Sequence, residues 1–158
     1  MSSLSISLTE WVAQAGDKAN LVVKSIIIDL TRRIDEKSPV GKKELWAANV
    51  ERASRGLAAL PAGYIGGRFR GNWQLGVDAP VSGTLDTVDS DGSSTLSAAM
   101  SAIPAETIGH TFYYTNNLPY ALRLENGHSR QAPIGIVGLS ILEWQGIVRR
   151  NARGGARS

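Results

Sequence analysis

Apolar residues recur every three or four positions through Leu8, Trp11, Val12, Ala15, Ala19, Val22, Val23, Ile26, Ile27, Leu30 and Ile34. That spacing is one stripe of an α-helix and predicts a single amphipathic helix over about 8–36. Ser7 and Glu10 have the spacing of a capping box, in which each side chain satisfies the other's free backbone N–H. Ile6 and Trp11 stand where a hydrophobic staple packs. Ser38-Pro39 supplies the stop, because proline disfavours helical geometry in the residue before it. At 1.5 Å per residue the helix runs roughly 43 Å. A chain of 158 residues makes one domain with a real core, and such a domain is narrower than this helix is long. Part of the helix is therefore expected to pack on something outside its own domain.

The remainder of the chain changes period. Residues 39–67 read as an irregular excursion, with a short helix expected within 42–55 before Pro61, Gly63, Gly66 and Gly67 break regular structure. From Arg68 the period becomes two. Phe69, Trp73, Leu75 and Val77 alternate with Arg68, Arg70, Asn72 and Gln74, the pattern of a strand with one buried face and one outward face. A second strand is expected over 81–88, after the Asp78-Ala79-Pro80 turn, and a short helix after Ser93 or Ser94. Ile108, His110, Phe112 and Tyr114 alternate with polar or small neighbours and predict a third strand that places His110 in the core with a hydrogen-bond partner. Pro119 and Gly127 bracket a short helix over 120–126. Pro133 opens a last helix with the stripe Val137, Ile141, Trp144 and Val148. The expected class is α+β: a long N-terminal helix, a small antiparallel or mixed sheet, short helices and a C-terminal helix.

Charge and composition narrow the chemistry. The net charge of +3 belongs to the end of the chain, where Arg149, Arg150, Arg153 and Arg157 meet no acid. The first 148 residues hold 13 basic and 14 acidic residues, a sum of −1. The division is thus a domain over 1–148, with an insertion at about 41–65, and a flexible basic tail over 149–158 loosened by Gly154-Gly155. Cysteine is absent, which excludes disulfides, thiolate metal sites and cysteine nucleophiles. Nucleophile-elbow, metalloprotease, P-loop and dinucleotide-binding motifs are absent as well. Glu125 and His128 straddle a helix stop, so an acid–base pair between them has no defined geometry, and structural roles are expected for both. Asp86, Asp89, Asp91 and Gly92 hint at a calcium loop but lack its closing glutamate. No catalytic, metal or cofactor site is expected. Met1–Ser7 has no basic region followed by an apolar run, and no apolar run approaches the roughly 18 residues of a membrane span, so the chain is expected to stay in the cytoplasm where it is made.

Two blocks of sequence carry a family resemblance. The first is Gly66-Gly67-Arg68-Phe69-Arg70-Gly71-Asn72-Trp73, preceded by Ser38-Pro39-Val40. The second runs from Tyr114-Thr115-Asn116-Asn117-Leu118-Pro119-Tyr120-Ala121 into Leu124-Glu125-Asn126-Gly127-His128-Ser129, with Gln131-Ala132-Pro133 ahead of the last helix. In this order they resemble the minor tail or tail-completion (neck) proteins of long-tailed bacteriophages. With the flanking helices the resemblance covers most of 8–150. It departs at 41–65, where shorter relatives pass almost directly from the Pro-Val to the glycine-arginine strand.

The resemblance implies a non-enzymatic virion protein at the head–tail junction, assembled in the host cytoplasm. It implies a ring, a hexamer by family likeness, that meets other neck and tail proteins such as the head-closure and tail-terminator rings. It implies neither a membrane nor a small-molecule substrate. Ring contacts are heterologous and close by rotation. Expected interface residues are the outward strand side chains Arg68, Arg70, Asn72 and Gln74, the arginines pairing with a neighbour's carboxylates. The loop residues Asn126, His128, Ser129, Arg130 and Gln131 are expected to join them. Arg149, Arg150, Arg153 and Arg157 are expected to face DNA in the channel. The competing reading is a small nucleic-acid-binding protein using the arginine tail and the Gly67–Gly71 segment, where arginine and aromatic groups interleave.

Overall fold

The N-terminal stripe forms one helix, α1 (Ser3–Lys37). This computed structural model describes residues 3–41, 55, 56 and 65–155, with the side chains of α1 described from Gln14 onward. The helix starts earlier than the expected residue 8, since Ser3 to Ile6 include no helix breaker, and the Ser7–Glu10 pair falls inside it. The Ile6–Trp11 staple and the short helix expected within 42–55 lie outside the described residues. The stop works as expected: the Ser38 N–H donates to the Asp35 carbonyl (3.1 Å) and its hydroxyl to the Ile34 carbonyl (2.8 Å), so two otherwise free helix-end carbonyls are satisfied.

Five further elements follow: β1 (Trp73–Val77), α2 (Ser93–Ala102), β2 (Phe112–Asn116), α3 (Ala121–Glu125) and α4 (Val137–Gly155). The α+β class holds, with a long N-terminal helix and a two-stranded antiparallel sheet. Trp73 faces Asn116 and Val77 faces Phe112 across that sheet. Helices α2 and α4 both run antiparallel to α1. Gly92 at the start of α2 lies beside Asp35, and Thr107 just after α2 bonds Asn20. Lys37 reaches Glu143 and Asn151 reaches Asp29. The core gathers Ile34, Phe69, Trp73, Leu118, Ala132 and Ile136, with Leu30, Tyr114, Ala121, Leu124 and Val137 packed against it. At 35 residues α1 is roughly 52 Å long. Residues 14–19 are exposed or half-buried and make no hydrogen bond to another element, so the tertiary attachment of the described part begins at Asn20.

Several local expectations are corrected. Arg70–Asn72 is a 3-10 turn, not strand, because the Gly71 N–H closes onto the Gly67 carbonyl and the Asn72 N–H onto that of Phe69. Residues 81–88 form no strand. Pro80 removes a ladder donor, and side-chain amides of Asn72, Gln74 and Asn117 take up the backbone of Val81, Gly83 and Leu85. The third strand begins at Phe112; ahead of it Gly109 sits at φ 88° and His110 turns back onto Thr107. His110 is exposed and pairs with Asp78 (2.7 Å), so it has a partner but is no core residue.

The last helix starts at Val137, four residues after Pro133, and buries a different line from the expected stripe. Ser140 and Ile147, and Ile136 just ahead of the helix, are buried, while Ile141 and Trp144 stay exposed. It also runs through Gly155, so residues 149–155 are helical and not a loose tail. Arginine and alanine are good helix formers, and Asn151 ties this end to Asp29 of α1 (2.9 Å). Arg157 lies outside the described residues.

The buried line of α4 predicts an asymmetry measurable by urea unfolding. Ile147→Ala should cost about 2–5 kcal/mol, the range for a fully buried isoleucine. Leu142→Ala, at a side chain 80% exposed, should stay within about 0.5 kcal/mol.

Candidate functional site

One of the residues read as functional, Arg70, lies at the C-terminal end of α1, in a cluster of buried polar groups. Thr31, Asp35 and Ser38 follow one another at helical spacing and are buried. Against them the 66–73 segment closes tightly. Gly67 holds φ 120°, and a side chain there would meet the Asp89 backbone at 2.5 Å, so only glycine fits. Arg70 then folds under the chain, its guanidinium donating to the Ser90 carbonyl (2.7 Å) and the Ser38 carbonyl (3.0 Å). The Trp73 indole donates to the Ser38 hydroxyl (2.8 Å), and the Tyr114 hydroxyl donates to Asp35 Oδ1 (2.8 Å). The Trp73 and Tyr114 rings stack at 5.1 Å. Three chain segments, 66–73, the 89–90 loop and β2, thus close on one helix end.

The electrostatics of the clasp follow from burial. Removal from water is the main cause that pushes the Asp35 carboxyl up to about 7; the Tyr114 bond and the Arg70 charge oppose it. Tyr114 is driven well above the usual phenol value, first by burial and then by the neighbouring Asp35 charge. Among the described residues, two buried side-chain polar atoms have no partner, Asp35 Oδ2 and Arg70 Nε.

Around the clasp, carboxylates and amides hold loops by their backbones. Asp89 is buried and accepts from the N–H groups of Gly92 (2.9 Å) and Thr95 (2.8 Å) and from the Thr95 hydroxyl (2.7 Å), which secures the start of α2. Asp91 accepts from the Ser93 N–H and hydroxyl, which hold its carboxyl below the usual range. The Asp-rich loop that hinted at calcium is therefore helix-capping material. Glu125 accepts from the N–H groups of Ile136, Val137 and Gly138, each at 2.9 Å, at the N-terminus of α4. Its partial burial raises the carboxyl, but the three N–H groups together outweigh that and leave it below the usual value. His128 donates from Nδ1 to the Arg123 carbonyl (3.0 Å), so Glu125 and His128 are each engaged elsewhere and form no pair.

The expected interface set divides. Asn72 is fully buried, its amide donating to the Arg68 and Leu85 carbonyls and accepting from the Leu85 N–H. The reading of Asn72 as an outward contact is overturned, because the 3-10 turn rotates it inward. Arg70 is likewise committed to Ser38 and Ser90. Gln74 donates to the Gly83 carbonyl, and Gln131 exchanges two bonds with the Val40 backbone. Arg68 is exposed and pairs with Asp86 of its own chain (3.4 Å). Asn126, His128 and Arg130 are exposed and Ser129 is half-buried. Arg149, Arg150 and Arg153 are exposed on α4. Arg149 and Arg150 share a shallow hollow with Arg33 and Glu143, and Arg150 shares another with Asp29, Arg32, Arg33 and Glu36.

Sequence reasoning missed Asp35, Tyr114 and Asp89. The one available signal was a polar line, Thr31, Asp35 and Ser38, continuing the helix face that Ile27 begins. Among the described residues, no group of three or more His, Cys, Asp or Glu is placed to hold a metal ion, and no helix is long and apolar enough to cross a membrane. No protein-family model, curated protein or solved structure matches the chain.

Two substitutions test the clasp's surroundings. Asn72→Ala leaves buried backbone groups of Arg68 and Leu85 unpaired and should cost about 1–3 kcal/mol by denaturant unfolding. Glu125→Gln should cost about 1 kcal/mol near neutral pH. The folded Glu125 carboxyl lies below its unfolded value, so its stabilisation is complete above that value and is lost as pH falls through the folded one. The gap between wild type and Glu125→Gln should therefore close on acidification.

Proposed function

We propose that the chain is a structural virion protein of a tailed bacteriophage, a tail-completion or neck component. In this reading it forms a ring at the head–tail junction, joins the tail to the DNA-filled head and catalyses nothing. The observation that carries it is the convergence of the two sequence blocks on which the resemblance rests. They lie about forty residues apart, yet the Asn116 amide donates to the Phe69 carbonyl (2.8 Å) and Gln131 exchanges two bonds with the Val40 backbone. Contact between the blocks supports reading them together as parts of one fold.

The surface supports assembly through protein contacts. Leu122, Ile134, Ile141 and Leu142 are each more than 60% exposed and available for contact with other chains. The beginning of α1, expected to pack outside its own domain, offers further contact. From the expected set the ring's contacts fall to Arg68, Asn126, Ser129 and Arg130, since the side chains of Arg70, Asn72, Gln74, His128 and Gln131 donate to this chain's own carbonyls. Head-closure and tail-terminator rings are the proposed neighbours.

The second reading, nucleic-acid binding, is favoured by the placement of Arg149 and Arg150 near Arg32 and Arg33. It has lost the Gly67–Gly71 segment, whose Arg70 is committed. Both readings are compatible with DNA passing through a neck.

Antibody labelling of intact phage particles tests the main reading. Label at the head–tail junction is expected; label confined to the capsid shell or tail tip, or absence of the chain from particles, overturns it. A gel shift at several salt concentrations tests the second. DNA binding that weakens steeply with salt and disappears on deletion of 149–158 is expected there.

A further inference from the structure

We propose that Asp35 is a proton-operated catch for the end of α1: protonated, it leaves the clasp closed, and ionised, it draws the Arg70 guanidinium off the Ser38 and Ser90 carbonyls and frees the 38–41 exit of the helix. The geometry places the parts for this motion together. Asp35 is only 4% exposed, with Oδ1 engaged by Tyr114 and Oδ2 without a partner. Arg70 is held by its two terminal nitrogens, while its buried Nε has no partner. Both side chains pass behind Gly92. A side chain at that position would come within 3.2 Å of Arg70 Cδ and 3.8 Å of Asp35 Cβ, so a glycine keeps open the space in which they approach.

A neutral carboxyl tolerates an unpaired oxygen at modest cost, whereas a buried carboxylate needs a counter-charge or several donors. The groups that act on Asp35 are Tyr114 from β2, Arg70 from the 3-10 turn, Asp89 from the loop before α2, and Glu36 from α1 itself. Two of these are acids, and the one cation is already bonded to carbonyls. On loss of the proton to solvent, the nearest compensation is therefore Arg70. Each carbonyl it leaves is a joint of the clasp: Ser38 ends α1, and Ser90 precedes α2.

The carboxyl is pushed up to about 7, chiefly by burial, which puts the transition in the neutral range. The sign follows by linkage. A folded value above the unfolded 3.8 means the native state binds the proton more tightly, so stability is greatest at acid pH and falls as pH rises towards about 7.

Urea unfolding of the full chain, with and without Asp35→Asn, tests this between about pH 5 and about pH 8. The asparagine imitates the protonated acid and can still accept from Tyr114. Relative to this variant, the wild-type folding equilibrium constant should drop by up to about tenfold per pH unit until about pH 7. A constant ratio between the two proteins across the range overturns the proposal. If Asp35→Asn does not fold, a carbon-13 NMR titration of the wild-type Asp35 carboxyl decides: a midpoint near neutrality supports the catch, and one near 4 overturns it. Release is read at the Ser38 and Val40 amides by hydrogen exchange. Wild-type exchange there should accelerate with pH beyond the roughly tenfold per unit of base catalysis seen in unstructured peptide, and an acceleration no greater than that overturns the release step.

Discussion

Seating the end of α1 on the sheet requires the burial of Asp35 and Ser38 together with the Trp73 indole, the Tyr114 hydroxyl and much of Arg70, and everything downstream is arranged around satisfying them. A buried polar group without a partner costs about 1–3 kcal/mol, so a cluster of this size is stabilising only if it is nearly complete. Completion comes from distant parts of the chain. The hydrogen bonds in the clasp fix the directions of the helix, the 66–73 turn and β2 at once, whereas apolar contact between the same elements would leave them free to slide.

The same device recurs at each point where regular structure is missing. Asp89 holds α2, Glu125 holds α4, and the amides of Asn72, Gln74 and Asn117 hold the irregular 81–88 segment. A sheet of only two strands has little ladder of its own, and isolated hairpins are marginal in water. Side-chain bonds to the backbone substitute for further strands. Polar residues in the two sequence blocks are consequently engaged in building the fold, and surfaces for partners have to be sought among residues the clasp leaves out, such as Leu122, Ile141 and Leu142.

Legibility differed by the range of the interaction involved. The long helix, its stop at Pro39 and the α3 helix between Pro119 and Gly127 were readable because each depends on neighbours within a few positions. The outward face assigned to Asn72 was wrong because alternation presumes a strand, and Gly67 and Gly71 wind the chain into a 3-10 turn instead. The stripe Val137, Ile141, Trp144 and Val148 is a genuine apolar line, but α4 also carries Ser140 and Ile147, in line with Ile136 just ahead of it, and packing against α1 selected the second line for burial. The arginines at 149, 150 and 153 read as a tail from their charge, yet they are good helix formers and extend the helix ahead of them.

By itself the sequence determined the α+β class, the existence of one long N-terminal helix and its stop at Ser38-Pro39, and the absence of cysteine, all of which follow from residue type and spacing along the chain. Only the tertiary structure decided that Asp35 is a buried acid, that Arg70 turns inward and that Glu125 is a cap rather than half of an acid–base pair. Those roles depend on which distant donor or acceptor arrives at a given side chain. A carboxylate alone in a sequence does not say whether it will meet water, a guanidinium or three backbone N–H groups.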